Sequence, residues 1–547
     1  MAEADPIAEL RDAVREVAQQ LSGQKAGAEA TLERPPQAEH GDYSSNAAML
    51  LAAPLGEAPR EVAERLRGTL AERLGESAEQ IEVAGPGFVN LFLSERWYRQ
   101  AIAGLVAAGE DAGIRPAEET ERVLIEFVSA NPTGPLTAAG GRHAAYGDAM
   151  ARLLEATGHG VGREYYSNDI GGQIDRFGQS IAAAIAGSEP LEDGYEGAYV
   201  AGLGERLAAE GVDPSDPDAL AKRGAELMLE SIRETLLRYG VEFDTWSSQR
   251  SFEESGAVEA VIDELREAGR TFESEGALWL RTTEFGDDKD RVLLRSDGEP
   301  TYFASDIAYH RDKLGRGFEH LIDVLGADHH GYLERMRAAL QALGFDGDVF
   351  EAQIIQFVHI VERGERSQMS KRRGDFVTLD ELLDDIGVDA TRFFMLQRSH
   401  DSTVDLDLEL AREQSNDNPV YYVQYAHARI ASILRKAGDE GIDVDAALAT
   451  DLSVVEAPVE PAERALVKRL LELSDEVLEA AERRAPHRLC AYAGAVASDF
   501  HAFYRDCLVV GAEGEGVQES RLAISVATKR AIARTLGLLG ISAPERM

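Results

Sequence analysis

Apolar residues recur along the chain with two spacings, and each spacing predicts a class of secondary structure. Short, nearly continuous apolar runs are typical of strands, above all of strands buried on both faces. Such runs lie at 88–93, 123–128, 160–166, 321–326 and 354–360. Elsewhere apolar residues return every three or four positions, which predicts helices such as 141–157 and 331–343. Strand, glycine-rich loop, helix and second strand, in this order, are the opening of a doubly wound nucleotide-binding sheet.

The pattern divides the 547 residues into three parts, because one hydrophobic core would not hold them all. We expect an α/β multidomain chain with a small α+β domain at 1–115, a split Rossmann-like parallel-sheet domain at 116–388 and an all-α bundle at 389–547. The insertion that splits the sheet, at about 174–297, is expected to be mostly helical with one short sheet segment. No strand is expected after 389.

The charge balance changes the picture of the surface. Asp and Glu total 98 against 56 for Lys and Arg, a net charge of −42, and only eight residues are lysine. The carboxylates are spread from one end of the chain to the other, so they coat the surface. In dilute buffer they would repel one another, whereas at molar salt the Debye length falls to about 3 Å. We therefore expect a salt-loving host, namely a halophilic archaeon.

Several classes of protein are excluded by composition and by the first residues. With 44% hydrophobic and 28% charged residues and no low-complexity tract, the chain is globular. Residues 1–17 lack the order of a signal peptide, and no run reaches the roughly 18 apolar residues of a membrane span. A cytoplasmic protein without a membrane partner is expected. Cys490 and Cys507 are too few for a disulfide framework or a cysteine-rich zinc site, and no metal site is predicted.

Two loops beside the predicted sheet carry candidate chemistry. The first, 129–136, leads into a helix that begins near Gly140, where N–H groups and the helix dipole would favour a phosphate. A plain tight turn explains this loop equally well. The second, 368–379, contains three cations in a row, Lys371 to Arg373, which could neutralise a pyrophosphate leaving group. Outside this context the same run would be a solvated charged stretch.

Several segments resemble the arginyl-tRNA synthetases, a family of class I aminoacyl-tRNA synthetases. Met369-Ser370-Lys371 resembles the KMSKS loop of the class, and 126–134 (EFVSANPTG) resembles the segment that leads into the family's HIGH motif. Further similar segments are 166–169 (YSND) with Gln173, 301–310 (TYFASDIAYH) and 389–393 (DATRF). The resemblance covers nearly the whole chain. It implies an enzyme, an arginine–tRNA ligase, with an N-terminal tRNA-binding domain, a Rossmann-like catalytic domain and an anticodon-binding bundle.

An arginine pocket is also implied by the resemblance. A guanidinium is a planar, permanently charged fork of five donors that fixed carboxylates meet best. The family's pocket residues match Glu126, Tyr302 and Asp306, with Asn131 and His329 as candidates for the backbone groups of the amino acid. Lysine should bind worse, because one compact ammonium leaves buried carboxylates poorly paired at roughly 1.5–3 kcal/mol per missed charged hydrogen bond.

The chain departs from the family pattern at both ATP motifs. The four HIGH positions, 137–140, read TAAG, so both histidines are missing, and Gln368 replaces the first lysine of KMSKS. We predict that the Thr137 hydroxyl replaces the first histidine and that His143 or the local backbone N–H groups replace the second, with Ser370 and Lys371 completing the catalytic set. By the same resemblance, the predicted ATP-binding residues are Pro132, Gly134, Gly140, Arg142, Met369, Lys371 and Arg372.

The implied reaction has two steps. The arginine carboxylate attacks the α-phosphate of ATP to give arginyl-adenylate and pyrophosphate, and the terminal adenosine of tRNA(Arg) then accepts the arginyl group. Mg²⁺ is expected to arrive with ATP, held by phosphates and water, and a monomer is expected. In the bundle, Tyr422, Tyr425 and Arg429 are the candidates for tRNA contact, and an aromatic stripe inside the bundle core is the alternative for this stretch.

Two other functions stay open at the level of sequence. The missing histidines also suit a non-catalytic tRNA-binding or regulatory relative. A class I synthetase for another amino acid, such as glutamate or cysteine, is the second. The acids Glu126 and Asp306 argue against a glutamate pocket, and no cysteine lies near the ATP motifs.

Overall fold

The protein, in its computed structural model, is described over residues 6–23, 31–109, 114–327, 331–366 and 377–547. The first part is a four-stranded antiparallel sheet in the order β1-β2-β4-β3, packed against helices. Its elements are α1 (Pro6–Ser22), β1 (Leu32–Glu33), β2 (Tyr43–Ser45), α2 (Ala47–Leu55), α3 (Pro59–Leu74), β3 (Ala78–Ala84), β4 (Phe88–Leu93) and α4 (Glu95–Ala107). The expected α+β character is confirmed.

A parallel sheet forms the second part. Its elements are β5 (Arg122–Glu126), α5 (Ala138–Ala156), β6 (Gly160–Ser167), α6 (Gly172–Ile185), α7 (Ala198–Glu210), α8 (Pro217–Arg238), β7 (Thr245–Ser248), α9 (Gln249–Glu254), α10 (Ala257–Glu267), β8 (Thr271–Ser274), β9 (Ala277–Leu280), β10 (Arg291–Leu294), α11 (Tyr302–Gly315), β11 (His320–Gly326), α12 (Tyr332–Ala342), β12 (Phe350–Ile355), β13 (Val358–Glu362), β14 (Glu365–Arg366), α13 (Leu379–Asp385) and α14 (Gly387–Leu396). Five strands run parallel in the order β12-β11-β5-β6-β7. The chain order reverses beside β5, and the crevice at the carboxyl ends of β5 and β11 is where such sheets bind ligands.

Helices make up most of the third part. Its elements are β15 (Val404–Asp407), α15 (Leu408–Arg412), α16 (Pro419–Asp439), α17 (Val444–Leu448), α18 (Pro461–Leu471), α19 (Leu473–Glu482), α20 (His487–Asp506) and α21 (Val517–Leu538). The apolar faces of these helices pack together, so the predicted bundle is confirmed. None of the helices in the described ranges is long and apolar enough to cross a membrane.

Three strand predictions are wrong in detail. β7 lies inside 174–297 but returns to the central sheet, so that region is only partly an insertion. The apolar run 354–360 is divided between β12 of the parallel sheet and β13 of a separate sheet in the order β14-β13-β15. β15 lies beyond 389, where no strand was expected. Both missed strands have four residues, and neither contains an apolar run, so the hydrophobic pattern did not distinguish them from loops.

The parallel sheet and the bundle are joined through a buried arginine. Arg392 on α14 is fully buried, and its guanidinium donates to Leu539 O at 2.8 Å, Tyr239 O at 3.2 Å and Asp148 Oδ2 at 2.5 Å. Gly540 adopts φ +69°, and a Cβ there would overlap the guanidinium. Elements far apart in sequence therefore share one charged contact that only a multidentate donor provides.

Candidate active site

Three carboxylates lie side by side on neighbouring strands of the parallel sheet, at the level where β5 ends. Asp323 on β11 pairs in register with Glu126 on β5, which pairs with Glu164 on β6. All three side chains are buried. Because paired residues of parallel strands point to the same face of a sheet, these acids form one line, which we call the acid row. A line of buried charges requires counter-charges in contact with it.

The polar partners of the acid row come from one face of α11 and from Arg316, the residue that follows this helix. Lys313 is 1% exposed, and its Nζ donates to Glu126 Oε2 at 2.5 Å and to Asp323 Oδ1 at 3.1 Å. His310 Nε2 lies 2.9 Å from Asp323 Oδ2, and Arg316 Nη2 donates to Glu164 Oε2 at 2.7 Å. Residues three apart lie on one side of a helix, so His310, Lys313 and Arg316 reach the acid row together.

The counter-charges determine the ionisation of the acid row. In Asp323, burial acts to raise the pKa, but Lys313 and His310 outweigh it and lower the pKa to about 2. In Glu164, burial is likewise outweighed by Lys313 and by hydrogen bonds, so its pKa is lowered. In Glu126, burial prevails and raises the pKa, while Lys313 opposes the rise. The direct contact with the Lys313 ammonium favours the ionised form of this carboxylate and so limits the rise.

Asp306 differs from the acid row because its carboxylate has no hydrogen bond or ion pair within the described part of the chain. It is half-buried on α11, one turn before His310. Burial, together with the charge of Glu126, raises the pKa of Asp306 to about 6, although His310 and Arg335 act against the rise. A carboxylate held in this way is prepared to receive a cation.

Beside this helix face, a cavity of about 270 Å³ is lined by Asn131, Asn168, Ile170, Gly172, Gln173, Gln249 and Tyr302. Tyr302 is 65% exposed and lies one turn before Asp306, so the two predicted arginine contacts share a helix face. Asn131 Nδ2 donates to Gln173 Oε1 at 2.8 Å. The cavity is just below the size range of small-molecule pockets, and its amides suit the polar backbone groups of an amino acid.

A strained bend links β5 to the loop in front of α5. Val128 and Ser129 adopt φ +69° and +38°, in a region that residues other than glycine rarely occupy. Ser129 Oγ donates to Glu126 Oε1 at 2.8 Å and accepts from the N–H of Tyr166 at 3.1 Å. Both oxygens of Glu126 therefore have partners inside the protein. Of the two predicted pocket acids, Asp306 is the one whose carboxylate has no partner in the described part of the chain.

Thr137, predicted to stand in for a HIGH histidine, is the N-cap of α5. Its Oγ1 accepts from the N–H of Gly140 at 3.4 Å. Capping uses a lone pair of the oxygen, so the hydroxyl proton stays available for a phosphate. The N–H of Ala138 donates to Val377 O at 3.1 Å, which ties the last residues of the second predicted ATP loop to this helix start. His143 lies half-buried further into α5.

Arg142 has a different use from the one predicted for it. It is 1% exposed, and its guanidinium donates to Gln356 O at 2.7 Å and Ser399 O at 2.8 Å. Burial lowers its pKa to about 10. The side chain is committed to joining α5 to the segments after β12 and α14, so we withdraw its assignment to ATP.

The remaining ATP-loop residues lie around the start of α5. Pro132 and Gly134 are buried, and Gly140 is half-buried. The hydroxyl of Tyr199, on α7, donates to Thr133 O at 3.0 Å and lies over Gly134, where a Cβ would come within 3.2 Å of it. Their contacts with ATP stay predictions. Five other predicted site residues lie outside the described residues, namely His329, Met369, Ser370, Lys371 and Arg372.

On the bundle, the predicted tRNA contacts form part of an aromatic and basic surface. Arg429 Nη2 donates to Tyr425 Oη at 2.6 Å, and its guanidinium lies 4.6 Å from the Tyr425 ring and 4.9 Å from the Tyr504 ring. A cavity of about 460 Å³ borders these groups and is also lined by the cations Arg435, Lys436 and Arg546. Tyr422 is half-buried and packs on His501, which fits the core alternative for this one residue.

Comparison with known proteins decides the family. Three family models match, described as arginyl tRNA synthetase N terminal domain (8–93), tRNA synthetases class I (R), catalytic domain (216–431) and DALR anticodon binding domain (423–547). An arginine–tRNA ligase of Frankia alni is 46% identical over 527 residues, 94% of each chain, and one of Bacillus subtilis is 43% identical over 528 residues, also 94% of each. The chain belongs to the arginyl-tRNA synthetase family.

Solved structures agree with this assignment. The arginyl-tRNA synthetase of Thermus thermophilus has a TM-score of 0.78 at 25% identity and is matched over 100% of both chains. A putative arginyl-tRNA synthetase of Campylobacter jejuni has a TM-score of 0.76 at 33% identity, covering 83% of this chain and 100% of that one. The expected fold class and the expected activity, that of an arginine–tRNA ligase, are confirmed. The relatives named here are bacterial and lend no support to an archaeal source.

Sequence reasoning in this synthetase missed the acid row and its counter-charges. Asp323 and Glu164 are single charged residues inside otherwise apolar strands, and this is a usable signal, because a charge in a buried strand needs a partner. His310 lies at the end of the 301–310 segment that resembles the family, but its partner could not be read from that segment. Lys313 had no signal beyond its place at helical spacing from Asp306.

We predict that Thr137→Ala lowers the turnover of arginine activation roughly 100-fold, because it removes a hydroxyl donor to the ATP phosphates. Thr137→Ser keeps the donor and should restore most of the rate. Ser94→Ala is the matched control, since Ser94 caps α4 with the same geometry far from the site and should cost only about 1 kcal/mol of stability. ATP–pyrophosphate exchange and thermal unfolding measure the two effects. An unchanged turnover in Thr137→Ala would reduce the residue to a helix cap.

Proposed function

We propose that this arginine–tRNA ligase binds the guanidinium of arginine at Asp306, in the crevice at the carboxyl ends of β5 and β11. The supporting observation is that Asp306 is the one acid of this crevice whose carboxylate has no partner in the described ranges. A guanidinium placed against it would gain a charge-assisted pair. Tyr302 and Asn131 would flank the ligand along the cavity, and His329 keeps its predicted place at the backbone groups of the amino acid.

In the proposed reaction, positioning and charge neutralisation replace acid–base chemistry. The arginine carboxylate would attack the α-phosphate of ATP beside the N-terminus of α5, where the helix dipole and the Thr137 hydroxyl favour negative charge. His143, Ser370 and Lys371 would meet the charge that develops on the leaving pyrophosphate. Mg²⁺ would come with ATP, held by phosphates and water. The product adenylate would then pass its arginyl group to the terminal adenosine of tRNA(Arg).

Asp306→Asn should abolish measurable arginine binding and arginine-dependent ATP–pyrophosphate exchange in the presence of tRNA(Arg). The pH dependence follows from its pKa of about 6. The cation needs the ionised carboxylate, so protons compete with arginine as the pH falls below 6, and KM for arginine should rise about tenfold per pH unit there. KM should level off above pH 7. Asp263→Asn, at an exposed acid on α10 that pairs with Arg266, is the control.

The proposed site would be refuted by either of two results. One is an Asp306→Asn variant that binds arginine as the wild type does. The other is a KM for arginine that does not change between pH 5 and pH 7 in the wild-type protein.

For tRNA we propose that the surface around Tyr425, Arg429 and Tyr504 stacks bases of the anticodon loop, while residues 1–115 contact another part of the tRNA. Single-stranded bases stack on aromatic rings and on guanidinium planes, and Arg429 lies against two tyrosine rings. Acids outnumber cations by 98 to 56 on this chain, so a cavity lined by four cations stands out and suits a polyanion.

Replacing Arg429 by Ala should raise KM for tRNA(Arg) about tenfold or more, since one stacked base contributes about 1–3 kcal/mol. KM for arginine should not change. The control is Arg505→Ala, at an exposed arginine on α20 that pairs with its neighbour Asp506. Aminoacylation at varied tRNA concentration measures the effect. Equal KM values for tRNA in the two variants would count against this surface.

We also propose that the acidic surface adapts the enzyme to a salt-rich cytoplasm, where it would act as a monomer. Screening of 98 carboxylates should stabilise the compact state. The melting temperature should therefore rise between 0.1 and 1 M KCl by more than it does in sucrose of equal osmolality. A melting temperature that stays constant or falls over this range would remove the reason for a salt-loving host. The proposal concerns the salt content of the host's cytoplasm and does not extend to an archaeal lineage.

A further inference from the structure

The loop in front of α5 is held from two sides by tyrosine hydroxyls. Tyr165, on β6 of the parallel sheet, donates to Ala130 O at 2.8 Å. Tyr199, on α7, donates to Thr133 O at 3.0 Å. The loop therefore has one anchor in the sheet and one in the helical insertion.

The insertion that supplies the second anchor packs as a unit of its own. Helices α6, α7 and α8 surround a separate apolar cluster that contains Phe177, Ile181 and Leu207, all fully buried. The same unit makes a further contact with the loop, because Gln173 Oε1 on α6 accepts from the Asn131 amide at 2.8 Å. The position of residues 131–133 thus depends on helices that lie outside the core of the parallel sheet.

The hydrogen bond from Tyr199 fixes the direction of one peptide group. The Thr133–Gly134 bond is trans, like every peptide bond in the described ranges, and a trans peptide is planar with its C=O and N–H on opposite sides. Because Thr133 O is held toward α7, the N–H of Gly134 points away from α7. Glycine permits this close approach, since a Cβ at Gly134 would lie 3.2 Å from the Tyr199 hydroxyl.

The N–H of Gly134 is the main-chain donor that residues 132–135 leave unused. Pro132 and Pro135 have no N–H, and the N–H of Thr133 donates to Asn131 O at 2.8 Å. Gly134 is buried, and its N–H has no hydrogen-bond partner in the described part of the chain. A buried N–H without a partner is unfavourable, so this group needs an acceptor from outside the protein.

We propose that Tyr199 is a positioning residue for arginine activation, because its hydroxyl orients the Gly134 N–H toward an oxygen of the ATP triphosphate. The inference rests on the proposed binding of ATP beside the N-terminus of α5, which Thr137 caps. There the Gly134 N–H adds a main-chain donor to the Thr137 hydroxyl and the helix dipole. Positions 137–140 contain no histidine, so main-chain donors carry more of the contact with the phosphates.

The first test is Tyr199→Phe in the full-length chain, assayed by arginine-dependent ATP–pyrophosphate exchange with saturating tRNA(Arg). The variant keeps the ring beside Gly134 and removes only the hydroxyl, so the peptide loses the bond that orients it. The value of kcat/KM for ATP should fall about tenfold, which is less than the roughly 100-fold to 1,000-fold cost of losing a whole donor. KM for arginine should stay within about twofold of the wild-type value.

Tyr492→Phe is the matched control. Tyr492, on α20, is buried, and its hydroxyl donates to Arg469 O at 2.9 Å within the bundle. Both variants lose the same kind of hydrogen bond, from a tyrosine hydroxyl to a main-chain oxygen, and both should melt slightly below the wild type. Tyr492→Phe should leave kcat/KM for ATP unchanged, so the comparison separates positioning from a general loss of stability.

A second variant removes the donor itself. Replacing Gly134 by glycolic acid through nonsense suppression exchanges its N–H for an ester oxygen and keeps the length of the backbone. The value of kcat/KM for ATP should then fall about 100-fold. Adding Tyr199→Phe to this variant should lower it by less than about twofold more, because both changes act through one N–H.

The inference is overturned if Tyr199→Phe and Tyr492→Phe have the same kcat/KM for ATP, or if the glycolic acid variant is as active as the wild type. It is also overturned if the two effects multiply in the double variant, since independent effects would do so. If any of these results occurs while Thr137→Ala still lowers turnover, the proposed ATP site stands and only the role of Tyr199 is wrong. If Thr137→Ala is fully active as well, the ATP site beside α5 fails and this inference fails with it.

Discussion

A buried carboxylate has to be in contact with a cation, and the register of β11, β5 and β6 brings three of them to one level of the sheet. This requirement determines how α11 lies across the crevice. The helix presents His310 and Lys313 to the acid row, and Arg316 follows at the same three-residue spacing. Tyr302 and Asp306 lie earlier on the same helix, at the end that faces the open part of the crevice. The position of the proposed ligand-binding face is thus a consequence of neutralising the charges beneath it.

The same rule explains how the three parts of the chain are joined. Arg392 and Arg142 are both buried, and between them they donate to four main-chain oxygens and to one carboxylate, that of Asp148. Lys468 on α18 pairs with Asp42 of the N-terminal part at 2.8 Å. Arginine suits such junctions because its fork donates in several directions from one fixed charge. On this chain of large negative charge, these three cations lie where segments meet.

Much of the fold could be predicted from hydrophobic spacing, because strands buried on both faces are nearly continuous apolar runs. β7 and β15 could not, since each is a four-residue strand whose pairing comes from neighbours distant in sequence. At the site, resemblance to a family gave Asp306 and Tyr302 but not their surroundings. It assigned Arg142 to ATP, whereas burial and two carbonyl oxygens account for that side chain. The role of Lys313 could be inferred only from the register of β5 and β11, which places Glu126 beside Asp323.

The bend at Val128 and Ser129 connects the acid row to the phosphate end of the crevice. A β-branched residue at φ +69° costs of order 1–3 kcal/mol, and such strain persists where surrounding contacts over-determine it. Here Ser129 is held by Glu126 and by the N–H of Tyr166, while Glu126 is held by Lys313. The loop that leads to the start of α5 is therefore fixed through the same carboxylate that Lys313 neutralises. Groups fixed before the ligand arrives need no reorganisation during the reaction, so the neutralised acid row supports both the arginine side and the ATP side of the crevice.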